Sequence, residues 1–222
     1  KEAREIMLSR KNLLKPSSGD PVVSPTLDMI LGCYFLTTIS EGRKGEGKTF
    51  TSKEDALLAR DLDVIDLKSR IKVNINGELL ETSAGRIIFN EIIPKELGFR
   101  NQDFDKSEIS KLIAQSFKIA GLDATATFVD KIKELGFEYS ERSGITFSAF
   151  DIQVPAKKKD ILENVEKLLD TINQQYRRGL ITNEERYAKT VEIWMNASGE
   201  LQEAMLENFD KENDINIIRV SG

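Results

Sequence analysis

Between Pro155 and Glu207 the chain carries two successive runs of apolar residues at helical spacing, and this leaves few ways for the region to fold. In the first run Ile161, Val165, Leu168 and Ile172 recur at steps of four, three and four, and Leu162 and Leu169 widen the stripe. In the second, Tyr187, Val191, Trp194, Leu201 and Met205 keep the same rhythm, with Ser198 in the slot between Trp194 and Leu201. Between them lies Arg177-Arg178-Gly179-Leu180-Ile181-Thr182, where Gly179 suits a left-handed helix C-cap. Thr182 and Glu185 have the S/T-x-x-E spacing of a capping box, so a new helix starts there. The spacing predicts an antiparallel helical hairpin whose arms each reach roughly 25 Å or more. Two readings of it stay open: an ordinary pair of bundle helices, or a projecting arm on which another protein docks.

Composition excludes several function classes. The chain has no histidine, so Ser-His-Asp and Cys-His nucleophiles, histidine-ligated metals and the usual near-neutral acid–base group are all ruled out. The single cysteine, Cys33, forms no disulfide framework within the chain, fits a reducing cytosol and reads as a core residue. A net charge of −5 argues against wrapping nucleic acid by bulk electrostatics. Apolar residues at 40% and charged residues at 31% suit a soluble, helix-rich chain, and the apolar runs are too short to cross a bilayer. The opening Lys1-Glu2-Ala3-Arg4 is neither a Met start nor a charged leader before an apolar run, so no secretory signal is read and the chain is expected to be cut from a longer one.

Along the chain, Lys1 to Leu8 reads as helix and Ser9 to Pro25, with Pro16, Ser17, Ser18, Gly19, Asp20 and Pro21, as a polar connection. Leu27, Ile30, Leu31, Tyr34 and Phe35 predict a helix that begins at Thr26 or Asp28. Ile71, Val73 and Ile75 alternate up to Asn76-Gly77, and the chain returns through Leu79 and Leu80, a β-hairpin with a type I′ turn. Gly85 to Ile93 predicts a short helix stopped by Pro94. A further helix carries Ile109, Leu112, Ile113 and Phe117, and a second runs from Ala124 to Leu135 and ends at Gly136. Phe137 to Gln153 then reads as an extended, aromatic-rich crossing, and Asn208 to Gly222 as a polar segment with Ile215, Ile217 and Ile218 clustered in it. The fold class expected is α+β, mainly α.

Two motifs suggest chemistry. Gly42, Gly47, Lys48 and Thr49 satisfy GxxxxGK[ST], the pattern that cradles nucleotide phosphates, so an ATP- or GTP-binding loop over Gly42 to Thr49 is the alternative function. Such a loop needs a buried strand before its glycines and a helix that starts at the Lys and Thr. Here the preceding segment reads as helix, and a separate cap, Ser52 with Asp55, opens the next helix late. Asp103-Phe104-Asp105 carries two carboxylates, but Lys106 and Ser107 follow, a poor cage for magnesium. Asp105 or Ser107 as a helix cap fits better.

Several segments in one order resemble the largest subunit (β′) of bacterial RNA polymerase, downstream of its catalytic magnesium loop. They include Ile6-Met7-Leu8-Ser9, Asn12-Leu13-Leu14, Pro16, Gly19, Pro21, Pro25, Leu31-Gly32 and Tyr34, and the turn Gly45-Glu46-Gly47 with Phe50. Others are Thr82, Gly85-Arg86, Phe89-Asn90-Glu91-Ile92 and Pro94; Leu135-Gly136-Phe137, Tyr139 and Ser143-Gly144; and Gln175-Tyr176, Gly179-Leu180, Thr182, Glu185-Arg186-Tyr187, Lys189 and Trp194. The resemblance covers nearly the whole chain. It explains the phosphate-loop match as a family turn with no nucleotide role.

The resemblance implies a piece of a cytoplasmic nucleotidyltransferase that holds neither catalytic residues nor a cofactor of its own; the magnesium belongs to the complete polymerase. Residues 1–14 would end a preceding catalytic-domain segment, and 15–150 would form a mixed pore domain walling a secondary channel. Residues 151–222 would form a funnel domain whose hairpin, 155–207, is the channel's rim. Nucleotides enter and backtracked RNA leaves by that channel. The implied partners are the rest of β′, the β, α and ω subunits, and Gre-type transcript-cleavage factors and DksA-type regulators that grip the rim, with DNA, RNA and nucleotides only in the full enzyme. On matching positions the docking contacts are Leu180, Thr182, Glu185, Arg186, Lys189 and Glu192. The chain departs from the family at Ala188, where some members carry an Asn that helps hold guanosine tetraphosphate, and at Leu27, where a Gln near the channel interior is common. It runs unbroken through Gly98 to Asn101, which implies an unsplit bacterial subunit.

Overall fold

The computed structural model describes all residues except 18, 20, 153 and 210–212. Ser18 and Asp20 of the predicted polar connection, Gln153 of the predicted crossing and residues 210–212 of the predicted polar tail therefore lie outside the described residues. In chain order the elements are α1 (Glu2–Glu5), α2 (Asp28–Thr37), β1 (Thr49–Phe50), α3 (Lys53–Asp61), β2 (Ile71–Ile75), β3 (Glu78–Thr82), α4 (Ala84–Ile92), α5 (Lys106–Ser143), α6 (Lys158–Arg177), α7 (Asn183–Asn208) and α8 (Asp214–Ser221). One small sheet among many helices is the expected α+β, mainly α class. The chain divides into two compact units, Lys1–Thr146 with Ile217–Gly222, and Phe147–Asn216.

In the first unit β2 and β3 form the predicted hairpin, with Asn76 at φ 56° and Gly77 at φ 93° supplying the two positive φ values of a type I′ turn. β1 adds to β2 in parallel, Thr49 opposite Lys72. The inward residues Ile71, Val73 and Ile75 pack with Ala56, Ile65, Ala84 and Ile87 in one cluster. A second cluster gathers Ile30, Cys33 and Leu36 of α2 with Phe89, Phe104, Ile109, Leu112, Phe128, Ile132 and Tyr139. α4 contributes to both, with Ile87 on the sheet side and Phe89 stacked on Phe104 at a ring-centroid distance of 4.4 Å.

The crossing of α2 with α5 is set by glycines. A Cβ at Gly32 would run into the carbonyl oxygen of Gly136, and one at Gly136 into the carbonyl oxygen of Met29, so the two backbones touch without side chains between them. The prediction that the second helix ends at Gly136 is therefore wrong: Gly136 lies inside α5, which continues to Ser143 and ends on Gly144 in the left-handed region at φ 61°. Glycine serves there as a contact surface, and no turn forms. Phe137 to Ser143, expected as the start of an extended crossing, is helical. The two predicted helices meet at Gly121, whose φ of 81° and ψ of −177° kink α5. Across the kink the hydroxyl of Thr125 donates to the carbonyl of Gly121 at 2.8 Å and pairs with the hydroxyl of Ser116 at 3.0 Å.

Other boundaries also differ. The opening helix is shorter than expected, Glu2–Glu5, and the tail read as a polar segment contains α8, which places Ile215, Ile217 and Ile218 on a helix. α2 starts from a type II′ turn, Met29 N–H donating to the carbonyl of Thr26 at 3.2 Å, with Leu27 at φ 50° and ψ −123° in the position such turns give to glycine. A non-glycine residue held there stores about 1–3 kcal/mol of strain, and its side chain is 84% exposed.

In the second unit α6 and α7 form the predicted hairpin. From their 20 and 26 residues the arms extend about 30 Å and about 40 Å. α6 buries Val165 and Ile172, with Ile161, Leu162 and Leu169 half-buried, while Leu168 faces out. On α7 the predicted seam holds at Leu201 and the half-buried Met205 and fails nearer the tip. The residues turned inward are Thr190, Ile193, Ala197, Leu201 and Ala204, whereas Tyr187, Val191 and Trp194 are exposed. The sequence holds two neighbouring apolar rows on α7, and the row of smaller side chains packs because helices approach more closely over Ala and Thr than over Trp.

Gly136→Ala should cost about 3 kcal/mol or more by forcing α2 and α5 apart, whereas Gly199→Ala, at an open helical site, should gain about 0.5–1 kcal/mol; urea unfolding of both variants checks the contrast.

Burial pushes the Cys33 thiol up from 9.0 to about 12. The unfolded chain therefore releases that proton near its ordinary value while the folded chain keeps it, so stability is full below pH 9.0 and falls as pH rises toward 12. Cys33 should resist alkylation at pH 8 in the native protein and react on unfolding, which mass spectrometry detects.

Candidate functional site

The tip of the hairpin is built by two caps in series. Leu180 N–H donates to the carbonyl of Gln175 at 3.0 Å and Gly179 N–H to that of Tyr176 at 2.9 Å, the two bonds of a Schellman motif, with Gly179 at φ 71°. Thr182 then starts α7 with the predicted capping box. Glu185 N–H donates to the Thr182 hydroxyl at 3.2 Å, and Thr182 N–H to the Glu185 carboxylate at 2.8 Å. No residue separates these caps except Ile181, so the turn is fixed by its own hydrogen bonds.

The six residues selected as docking contacts all lie at this tip and on the first two to three turns of α7, and they divide by task. Thr182 and Glu185 form the cap. Arg186 is half-buried; its guanidinium donates to the Asn183 side-chain oxygen at 2.9 Å and sits over the Tyr176 ring, 5.2 Å from the centroid, tying α7 to α6. Leu180, Lys189 and Glu192 are exposed, and Leu180 presents an apolar side chain at the apex. Ala188 is also exposed. Sequence reasoning missed the outward row Val191, Trp194 and Met195, which it had assigned in part to the seam.

Gly42 to Thr49 does not form a phosphate loop. α2, a helix, precedes it; Thr49 lies in strand β1; and α3 begins only at Lys53, capped by Ser52, whose hydroxyl accepts from Asp55 N–H at 3.1 Å. Several of the loop's amides are already committed. Gly42 N–H donates to the Glu46 carboxylate at 2.7 Å, Gly47 N–H to the Arg70 carbonyl at 2.8 Å and Lys48 N–H to the Gly45 carbonyl at 3.3 Å. The match arises from a turn that three positive-φ glycines, Gly42, Gly45 and Gly47, make possible.

The two carboxylates of Asp103-Phe104-Asp105 are engaged separately. Asp103 accepts from Arg86 at 2.6 Å, and Asp105 caps α5 by accepting from Glu108 N–H at 2.8 Å. Arg86 also donates to the Thr37 carbonyl at 2.8 Å and to Asn101 at 2.9 Å, and Asn90 brackets Arg100, donating to its carbonyl at 2.8 Å and accepting from its N–H at 2.7 Å. The motif Gly85-Arg86 with Phe89-Asn90 thus anchors the loop from Arg100 to Asp103 on α4. No helix among the described residues is long and apolar enough to cross a membrane.

The family model for RNA polymerase Rpb1, domain 3, matches residues 12–152. The chain belongs to this family. Over its whole length it is similar to the DNA-directed RNA polymerase subunit beta' of Pelotomaculum thermopropionicum (45% identical), Moorella thermoacetica (46%) and Dehalococcoides mccartyi (45%). It covers 19%, 19% and 17% of those subunits, so it spans about a fifth of their length. The domain 3 match ends ahead of the hairpin, which only the longer relatives cover.

Thr182→Ala should remove the hydroxyl that accepts from Glu185 N–H, leave the backbone N–H of residue 182 to bond the Glu185 carboxylate, and cost about 1 kcal/mol; hydrogen exchange should quicken in the first turn of α7 and stay unchanged in α5.

Proposed function

We propose that this chain serves as part of a bacterial DNA-directed RNA polymerase, residues 15–150 lining the passage by which nucleotides enter and backtracked RNA leaves, and residues 151–222 forming its rim. The chain supplies no catalytic residue or metal ligand in this reading; it is wall and docking surface for a nucleotidyltransferase assembled with the remaining β′ sequence and the β, α and ω subunits. The observation that carries the assignment to the polymerase is an overall identity of 45% to a beta' subunit in a match that spans the whole chain. The docking role is supported by the hairpin itself. Its arms extend far beyond what their small seam needs, and its apex is held rigid by two caps that leave Leu180, Lys189 and Glu192 facing outward.

A Gre-type cleavage factor or a DksA-type regulator would take those three side chains as contacts, with Thr182, Glu185 and Arg186 holding them in place. Rigid presentation favours this, because a preformed apex loses little conformational entropy on binding. In the complete polymerase carrying Leu180→Ser and Lys189→Glu, affinity for a Gre-type factor should fall about tenfold or more, while RNA synthesis without the factor is unchanged. Equal affinity for wild type and variant, measured by fluorescence anisotropy of the labelled factor, would remove the docking role.

A further inference from the structure

α7 carries a second face that neither the seam nor the tip uses. Trp194 is 44% and Met195 70% exposed, and with Val191, Ser198, Gly199 and Gln202 they border a groove of about 510 Å³. The spacing of these residues is informative. Val191, Trp194, Met195 and Ser198 stand at i, i+3, i+4 and i+7, and so do Met195, Ser198, Gly199 and Gln202. Four residues so placed form the hole that receives one knob from a facing helix, and two successive holes form a seat for a helix. Gly199 deepens the second hole, since nothing lies within 4 Å of the position its Cβ would take.

Charge defines the occupant. α7 holds six carboxylates against two cations, Arg186 and Lys189. At helical spacing Glu185, Glu192 and Glu203 fall along one margin of the groove, while both cations project from the opposite side of the helix. The groove's surface is mainly apolar, from Val191, Trp194 and Met195, with the polar side chains of Thr190, Ser198 and Gln202 beside them.

We propose that the outward face of α7 from Val191 to Gln202 is a docking seat for one amphipathic helix of a separate protein, with an apolar seam that fills the holes and Lys or Arg along the edge that meets Glu185, Glu192 and Glu203. The separate origin of that helix rests on the reading of the hairpin as a docking arm; the holes of the seat lie two to five turns from the tip, and only the margin carboxylates Glu185 and Glu192 are shared with it.

Trp194 is the chain's single tryptophan and reports directly on the seat. The chain is titrated with a synthetic amphipathic helical peptide that has leucines at a and d and lysines at e and g, and with its counterpart in which every lysine is glutamate. The basic peptide should shift Trp194 emission to the blue saturably and bind about tenfold or more tightly than the acidic one. Gly199→Leu, which fills the hole and favours helix, should weaken the basic peptide about tenfold, with circular dichroism unchanged; Met195→Glu provides a second check at an exposed site. Glu192→Lys with Glu203→Lys should reverse the preference between peptides. The inference is overturned by equal binding of the two peptides, by Gly199→Leu and Met195→Glu both binding as wild type, or by a blue shift that develops with chain concentration alone, which would make a second copy the occupant. Leu180→Ser with Lys189→Glu should leave peptide binding intact, so loss of factor docking at the tip and loss of the seat are read separately.

Discussion

The first unit depends on two backbones meeting without side chains between them. Gly32 on α2 and Gly136 on α5 leave no room for a methyl group, and that closeness brings Ile30, Cys33 and Leu36 into the cluster of α5 side chains. Gly85 repeats the device where α4 starts, its Cα against the carbonyl of Leu36. Packing at near-crystalline density transmits small displacements, so α2, α4 and α5 hold one another's positions. From that frame the Arg86 and Asn90 brackets can fix the loop from Arg100 to Asp103 by hydrogen bonds alone.

The second unit works on other terms. Its seam buries only Val165 and Ile172 on one arm and Ala197 and Ala204 on the other. A long, thin hairpin with so little apolar burial relies on local terms: the Schellman motif, the capping box and Arg186 stacked on Tyr176. These concentrate rigidity at the apex, where an exposed leucine and charged side chains face outward. Residues chosen from resemblance as partner contacts thus include three that hold the tip and three that are free to touch something, a separation that similarity of sequence alone does not make.

The same holds for the motifs that carry the family likeness. Gly32, Gly85 and Gly136 are close-contact sites, Arg86 and Asn90 are brackets, and Phe89 is half of a stacked pair. The glycines of the phosphate-loop lookalike shape a turn in which Gly42 N–H is bonded to Glu46 and Gly47 N–H to the Arg70 carbonyl. In this chain the residues that carry the likeness preserve a shape.

By itself the sequence determined what is local. Helical periodicity placed α2, α4, α6 and α7; Asn76-Gly77 placed the hairpin turn; Ser52, Asp105 and Thr182 with Glu185 were legible as caps, because each rests on residues within one turn of each other. Only the tertiary structure decided where a glycine stops a helix and where it admits a neighbour, since Gly136 and Gly144 look alike until the partner backbone is present. It also decided which of two apolar rows on α7 closes the hairpin. A hydrophobicity pattern favours the larger side chains, whereas helix packing favours those that let the axes approach, and so Ala197 and Ala204 went in and Trp194 stayed out.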